Sequence, residues 1–283
     1  MRLMRNGDAA DGGSNIKAVS AATYAVAADH FDDPALSFWD RFGRQTVTRI
    51  GLHPGDRVLD ACCGTGASAL PTAHIVGAAG QVLGFDLAEP ALALARAKAH
   101  AQGLANVEFR AADLENTGLP SESFDAVVCV FGVFFLADMA AAVAELWRLV
   151  RPGGVLAVTV WGPRFLEPAT TAFWAAVAAK SPNLVGGFHP WTRVTDPAAL
   201  SQLFHAGGAA TPTVEAEPGT HPLAQPEDWW TIVLGTGYRA TVEQLDPAAV
   251  RHVRAGCIAW LREHEVRELE TNVVYARAHK PGR

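Results

Sequence analysis

The feature that most constrains the fold is an alternation between short apolar runs and helical patterns across residues 57–162. Five runs have the length and composition of strands: "RVLDAC", "QVLGFD", "VEFRAAD", "SFDAVVCVF" and "VLAVTVWG". The segments between them carry apolar residues at helical spacing, and this alternation is typical of βαβ units. The fourth run contains the unbroken apolar stretch "AVVCVF", which indicates a strand covered on both faces. The sequence therefore predicts an α/β fold with a doubly wound, mainly parallel sheet.

The rest of the chain divides around this core. Residues 1–18 are polar and lack a hydrophobic period, so we interpret them as a flexible tail. Residues 19–162 contain two N-terminal helices, around 20–31 and 35–51, followed by the five strands of the ligand-binding half.

Residues 163–283 are predicted to complete the sheet. Strands around 211–217 and 271–279 bring the total to seven, with the last strand antiparallel. Helical cap insertions are expected at roughly 163–195 and 219–264, where the alternation of strand and helix loosens.

Composition excludes several classes of function. The chain has 283 residues, 49% of them hydrophobic, which is ample for a large core. A net charge of -6 without a dense Lys/Arg run argues against a nucleic-acid partner. No apolar run approaches the ~20 residues that span a bilayer, and the first residues lack a secretory signal, so we expect a cytoplasmic protein.

The four cysteines are expected to be thiols. Cys129 lies in a strand-like run and Cys257 in a helical one, where cysteines usually pack as small buried hydrophobes. Cys62 and Cys63 are adjacent, without the two-residue gap that lets a pair chelate one ion, so no metal site is predicted.

The loop after the first strand carries a glycine pattern. In "VLDACCGTGASAL", residues 58–70, Gly64, Gly66 and Ala69 fit the G-x-G-x-x-A form of a dinucleotide-binding turn, and Asp86 follows at about the usual ~20 positions. However, Asp60 stands ahead of the glycines, and its carboxylate would repel a pyrophosphate. It suits a ligand that carries positive charge.

Four stretches in order resemble the class I S-adenosylmethionine-dependent methyltransferases, specifically the small-molecule enzymes similar to the ubiquinone/menaquinone biosynthesis methyltransferases. They are "VLDACCGTG", "GFDLAEPAL", "AADLENTGLPSESFDAVVCVFGVFFLAD" and "LWRLVRPGGVLAVTVWG", and the resemblance covers about residues 35–162. It implies a Rossmann-like fold, S-adenosylmethionine as cofactor and a small-molecule substrate. The sequence departs from the family at Cys62, where glycine is more common, so a positive φ there would strain the backbone.

The resemblance also implies roles for individual residues. The first motif contributes Asp60, Ala61, Cys62, Gly64 and Gly66 to cofactor binding, with Asp60 and the two glycines around the methionine moiety. Asp86 would accept both ribose hydroxyls, and Leu87 would lie against the adenine. Asp113 would accept from the adenine amino group beside Ala112 and Leu114, while Val130 and Phe131 approach the ligand from below.

The acceptor pocket is predicted from large side chains outside the five-strand core. The segment "GVFF" at 132–135 lacks the histidines that many relatives have there, so no catalytic base is assigned. Six residues are candidates for the pocket: Tyr24, Trp39, His189, Trp191, Trp229 and Trp230. We call the cover that such residues would form over the strand ends the roof. Further aromatic residues that could join it are Phe38, Phe165, Phe173, Trp174, Phe188 and Tyr238.

The sequence thus predicts an enzyme that transfers a methyl group from S-adenosylmethionine to a small, apolar or aromatic acceptor. Two alternatives remain. One is a protein of the same fold that binds the cofactor but catalyses a different reaction. The other is a nicotinamide-dependent oxidoreductase, which would account for the glycines and Asp86 but not for Asp60 or Asp113.

Overall fold

The computed structural model describes residues 8–187 and 189–282, with side chains from residue 16 onward. Phe188 and the first seven residues of the predicted tail lie outside this part of the chain. The strands are β1 (Arg57–Ala61), β2 (Gln81–Asp86), β3 (Val107–Ala111), β4 (Phe124–Val130), β5 (Val150–Trp161), β6 (Thr213–Glu217), β7 (Thr220–Pro222), β8 (Glu268–Glu270) and β9 (Val273–His279).

Seven of these strands form one sheet in the order β3-β2-β1-β4-β5-β9-β6. The first five are parallel to one another, whereas β9 runs antiparallel to both β5 and β6. The predicted seven-stranded, mainly parallel sheet with an antiparallel last strand is therefore confirmed. The helices are α1 (Asp8–Ala27), α2 (Phe38–Thr48), α3 (Ala69–Val76), α4 (Glu89–Ala101), α5 (Met139–Leu149), α6 (Ala169–Ala178), α7 (Pro197–Ala206), α8 (Asp228–Leu234), α9 (Arg239–Val242) and α10 (Pro247–Glu263).

Helices cover both faces of the sheet, as a doubly wound fold requires. Val58 and Val82 belong to the apolar cluster on the face covered by α3 and α4. Their neighbours along the strands, such as Leu59, face the opposite cluster, which α5 joins. Successive strand residues point to opposite faces, so burial on both sides explains the unbroken apolar runs.

The strand order reverses between β1 and β4. The chain runs outward from β1 through β2 to β3 on one side, and from β4 to β5 on the other. Ala61, Asp86, Ala111 and Val130 end their strands at the same edge of the sheet. In folds of this kind, ligands bind in the crevice outside the carboxyl ends of the strands at such a switch point.

The N-terminal segment differs from the prediction, because residues 8–18 belong to α1 and not to a tail. The helix docks through residues from Lys17 onward. Lys17 Nζ donates to Asp113 Oδ2 over 2.6 Å, and the ring of Tyr24 packs edge-on against Phe135 at 5.2 Å. Glycines and polar residues early in α1 give little helix propensity, so tertiary contacts that the local sequence does not reveal stabilise the helix.

The second half of the chain forms the predicted helices and adds strands β6 and β9 to the sheet. Helices α6 and α10 pack on each other, and α8 packs on the short 3-10 turn Pro34–Leu36. The antiparallel pair β7–β8 was not predicted. Among the described helices, none is long and apolar enough to cross a membrane.

Candidate active site

A cleft of about 1100 Å³, counting the part open to solvent, lies at the carboxyl edge of β1 to β4 under helix α1. Its floor comes from the loops after the four strands. Its far wall comes from α1, from the segment that leads to α2 and from the first turn of α2. The floor residues are Cys62, Cys63, Gly64, Thr65, Ala67, Ser68, Phe85, Asp86, Leu87, Ala88, Ala91, Ala112, Asp113, Leu114, Val130, Phe131, Gly132, Phe135 and Leu136; the wall residues are Lys17, Ser20, Ala21, Tyr24, Phe31 and Trp39.

The glycine loop turns sharply through left-handed backbone. Gly64 and Gly66 have φ of 52° and 88°, and Cys62 adopts φ of 59° although it carries a side chain. Such a conformation costs a non-glycine residue roughly 1 kcal/mol or more. A Cβ built on Gly132 would lie 2.5 Å from Cys62 Cβ, so the loops after β1 and β4 are in direct contact here.

Asp60 lies behind the cleft and not on its wall. It is 1% exposed, and Ser68 Oγ donates to its Oδ2 over 2.7 Å. Ser68 itself lies in the floor of the cleft. Asp60 Oδ1 is buried without a hydrogen-bond partner among the described residues. Burial raises the pKa of Asp60 to about 7, because the hydrogen bond from Ser68 offsets only part of the desolvation. Ala61 and Gly66 also lie off the wall.

Asp86 ends β2 and lies in the floor of the cleft, where backbone N–H groups bind both oxygens of its carboxylate. Gly64 N–H donates to Oδ2 and Ala88 N–H donates to Oδ1, each over 2.8 Å. Burial raises the pKa of Asp86, partly offset by the backbone N–H groups of Ala88, Gly64 and Leu87. Leu87 follows with 43% of its surface exposed, which is unusual for a large apolar side chain in this chain.

Asp113, after β3, joins the floor to α1. Its Oδ1 accepts from the Glu115 N–H at 3.0 Å, and its Oδ2 accepts from Lys17. Burial would raise the pKa of Asp113, but the Lys17 ammonium and the Glu115 N–H outweigh it and hold the pKa below its usual value. Lys17 also pairs with the Glu115 carboxylate. This double ion pair fastens α1 over the cleft.

The end of β4 contributes a second left-handed residue, Phe131, with φ of 55°. Its ring stacks on Trp161 with centroids 3.9 Å apart and planes within 9°. Val130 and Phe131 both line the cleft, at the positions that the resemblance implied.

The wall under α1 is aromatic. Tyr24 packs on Phe31 at 5.8 Å, and Phe31 stacks on Trp39 at 5.5 Å. The indole N–H of Trp39 is buried and has no hydrogen-bond partner among the residues that the structure describes. Tyr24 and Trp39 were pocket candidates from sequence. Lys17, Phe31 and Phe135 were not among the candidates. Lys17 reaches the cleft only because α1 docks there, whereas Phe135 lies in the turn that follows β4.

The other four pocket candidates lie away from this wall. Trp229 is fully buried and packs with Phe173 and Tyr238, while Trp230 and Trp191 also belong to the main core. His189 stacks near Trp174, with ring centroids 4.2 Å apart, and burial lowers its pKa. None of these four residues lines this cleft, so their place in an acceptor pocket stays a prediction. These aromatic rings fill the core between α6, α8 and α10.

The fold and cleft define a nucleotide-binding α/β class of protein. Residues 58–154 match the family described as "Methyltransferase domain". The chain is 30% identical over 196 residues to nocamycin O-methyltransferase of Saccharothrix syringae, covering 69% of this chain and 64% of that protein. It is 33% identical over 147 residues to the ubiquinone/menaquinone biosynthesis C-methyltransferase UbiE of Marinomonas sp., covering 50% and 59%. The chain thus spans less than two thirds of the length of either relative.

Solved structures agree with this fold. A Haemonchus contortus phosphoethanolamine N-methyltransferase in complex with S-adenosyl-L-methionine matches with a TM-score of 0.54 at 18% identity, covering 90% of this chain and 60% of that one. The cyclase SpnF matches with a TM-score of 0.53 at 21% identity, covering 86% and 81%. At such identities these likenesses show the fold alone. Together with the match over residues 58–154, they show that this chain is similar to methyltransferase domains of the class I type, a class whose cofactor is S-adenosylmethionine.

Proposed function

We propose that the protein transfers a methyl group from S-adenosylmethionine to a small, apolar or aromatic acceptor. The observation that carries the proposal is one cleft with acidic side chains at three neighbouring strand ends. Asp86 and Asp113 line the cleft, and Asp60 lies one hydrogen bond behind it through Ser68. A ligand with a positive charge, a ribose and an adenine offers a partner to each: the charge to Asp60, the ribose hydroxyls to Asp86 and the adenine amino group to Asp113.

The residues present fit this cofactor. Gly64 and Ala88 donate to different oxygens of Asp86, and the carboxylate can still accept from the hydroxyls of a diol. The unpartnered Oδ1 of Asp60 suits a nearby positive charge, and the exposed Leu87 offers apolar surface to a flat ring. No group of metal-ligating side chains occurs in the described part of the chain, and the proposal needs none.

We assign the residues as follows. Asp86 holds the ribose hydroxyls, and Leu87 packs against the adenine. Asp113, beside Ala112 and Leu114, accepts from the adenine amino group. The loop with Cys62, Gly64 and Gly66 holds the methionine moiety, with Asp60 and Ala61 supporting it from behind, while Val130 and Phe131 close the floor.

When bound, the cofactor supplies a methyl group on a positively charged sulfur, which is already an activated leaving group. The protein therefore has to hold the acceptor in line and exclude water, and this positioning supplies the rate enhancement. Tyr24 and Trp39 belong to the aromatic wall that can do both. We propose that they, with Phe31 and Phe135, hold the acceptor.

We also propose that the protein acts in the cytoplasm on small molecules and does not bind nucleic acid. The net charge of -6 and the paired state of Lys17 support the absence of nucleic-acid binding, since the described lining of the cleft carries no cluster of cations for a phosphate backbone.

Ligand titration tests the proposal. S-adenosylhomocysteine should bind in the micromolar range by calorimetry, and NADH should not bind measurably. Asp86→Ala should cost about 2 kcal/mol of binding free energy, because it removes the partner of two buried hydroxyls. Asp113→Ala should cost about 1 kcal/mol, since it serves one amino group near solvent. NADH binding more tightly than S-adenosylhomocysteine would overturn the assignment, as would an Asp86→Ala affinity within twofold of wild type.

The reaction itself needs a second measurement. A methyltransferase releases S-adenosylhomocysteine when its true acceptor is added. A protein that binds S-adenosylmethionine but does not transfer its methyl group releases none. Tight cofactor binding with an acceptor converted but no S-adenosylhomocysteine formed would favour the non-methylating alternative.

A further inference from the structure

The cleft poses a question about proton transfer, because a neutral hydroxyl acceptor must lose a proton when it is methylated. Titratable side chains reach the cleft from α1 and from the ends of β1, β2 and β3, while the lining residues after β4 contribute none. The titratable residues among those described as lining the cleft are Lys17, Tyr24, Cys62, Cys63, Asp86 and Asp113. A general base must be unprotonated near neutral pH and free to reach the acceptor.

Four of the six are protonated near neutral pH. The hydrogen bonds to Asp113 and Glu115 raise the pKa of Lys17, so it stays an ammonium. Burial and the nearby Asp86 carboxylate raise the pKa of Tyr24, so it stays a neutral phenol. The Cys129 thiol and burial raise the pKa of Cys62, and burial raises that of Cys63.

The two carboxylates are already engaged. Asp113 is tied to Lys17 and to the Glu115 N–H, and those partners hold its pKa low, which makes it a poor base. Asp86 accepts from Gly64 and Ala88 and, under the proposed function, holds the ribose. The described wall thus offers no group to take a proton from the acceptor.

The same wall holds a donor without a partner. Trp39 is 9% exposed, its ring stacks on Phe31, and its Nε1–H has no acceptor among the described residues. A buried, unpaired donor costs roughly 1–3 kcal/mol, which a ligand oxygen placed against it would recover. Hydrogen bonds to a charged acceptor are stronger than those to a neutral one.

From these observations, and resting on the proposed function, we propose that the acceptor is an oxygen acid on a flat aromatic scaffold. It enters the cleft already ionised, as a carboxylate or an acidic enolate, and Trp39 Nε1–H donates to its oxygen. The scaffold packs among Tyr24, Phe31 and Phe135.

The step balances without a base. A lone pair of the acceptor oxygen forms the new oxygen–carbon bond, and the carbon–sulfur bond breaks with its electron pair left on sulfur. An anion and a sulfonium become a neutral ester or enol ether and a neutral thioether. No proton is released, because the acceptor lost its proton in solution.

Binding to the complex with sinefungin tests the proposal, since that analogue keeps a positive charge where the methyl-bearing sulfur would be. The probes are 2-naphthoate, 2-phenyl-1,3-indandione and 2-naphthol. At about pH 7.5 the first two are anions, one a carboxylate and one an enolate, and the third is a neutral phenol. We expect at least one anion to bind about tenfold more tightly than 2-naphthol, and the preferred anion then identifies the source of the oxygen.

Trp39→Phe keeps an aromatic ring and removes the donor. It should abolish most of the anion preference, about tenfold, while 2-naphthol and sinefungin affinities stay within about twofold. The same substitution at Trp147, which lies on α5 away from the cleft, should leave every affinity unchanged. Circular dichroism of each variant checks the fold, and the wild-type comparison stands even if Trp39→Phe unfolds.

The outcomes separate this inference from the proposed function. Failure of sinefungin and S-adenosylhomocysteine to bind would refute the methyltransferase assignment. If both bind but 2-naphthol matches the two anions, or no anion binds, the ionised acceptor is wrong while the assignment stands. If Trp39→Phe keeps the full anion preference, Trp39 is not the donor.

Discussion

Asp60 combines burial, one hydrogen bond and an unpartnered oxygen in a way that makes stability depend on pH. Its folded-state pKa of about 7 lies above the ordinary value of 3.8, so between these pH values the folded protein keeps a proton that the unfolded chain has lost. The free energy of unfolding should therefore fall as pH rises from about 4 to 7, by up to about 4 kcal/mol from this group. The Asn side chain of the Asp60→Asn variant does not ionise, so the free energy of unfolding of this variant should change less with pH over the same interval.

Urea unfolding of both proteins at several pH values checks this expectation. The difference between the two curves isolates Asp60, since other groups titrate alike in both. Parallel curves from pH 4 to 7 would mean that Asp60 ionises normally in the folded protein. The residue would then carry a full charge next to the cofactor loop even without a ligand.

At the scale of elements, helix α1 closes the cleft, and its described ion pairs there run through a single side chain, Lys17. Lys17→Ala should leave the floor of the cleft intact but loosen the helix over it. We expect S-adenosylhomocysteine to dissociate several-fold faster, with a smaller change in the association rate, because loss of a closing contact acts mainly on escape. Stopped-flow fluorescence of the cofactor complex measures both rates.

A matched control for this variant is Arg110→Ala, which removes the exposed ion pair to Glu108 within β3. It should leave both rates unchanged. An equal acceleration in the two variants would point to a general loss of stability and not to a latch on α1.

The elements also show what the sequence could predict. The strands were found because burial on both faces leaves unbroken apolar runs. Asp86 and Asp113 came from the family resemblance, and both line the cleft at the strand ends, while their roles toward the cofactor stay predictions. The first part of helix α1, residues 8–18, was missed because contacts of Lys17 and Tyr24 with distant residues hold the helix in place. Aromatic residues such as Trp229 were candidates for the pocket but are buried here, since composition does not distinguish a ring that fills a core from one that lines a cleft.

At the scale of the whole molecule, the chain has two halves with different tasks. All residues that line the cleft precede residue 137, whereas the residues after 162 complete the sheet and pack α6, α8 and α10 around a separate aromatic core. The second half therefore contributes no lining residue but supports some that do line the cleft, since Arg193 donates to the Leu136 carbonyl over 2.6 Å. Stabilisation by a ligand should follow the same division, because binding suppresses those local openings that disrupt the site.

Hydrogen exchange with and without S-adenosylhomocysteine tests this division. At short exchange times, amides of α1 and of the loops after β1 to β4 should gain protection, because opening any of them exposes the ligand. Amides near the ends of α6 and α8, which open locally without disturbing the cleft, should exchange at the same rate in both states. Comparable protection of α8, which carries Trp229 and Trp230, would show that these side chains move onto the ligand when it binds, and would restore the roof that the sequence predicted.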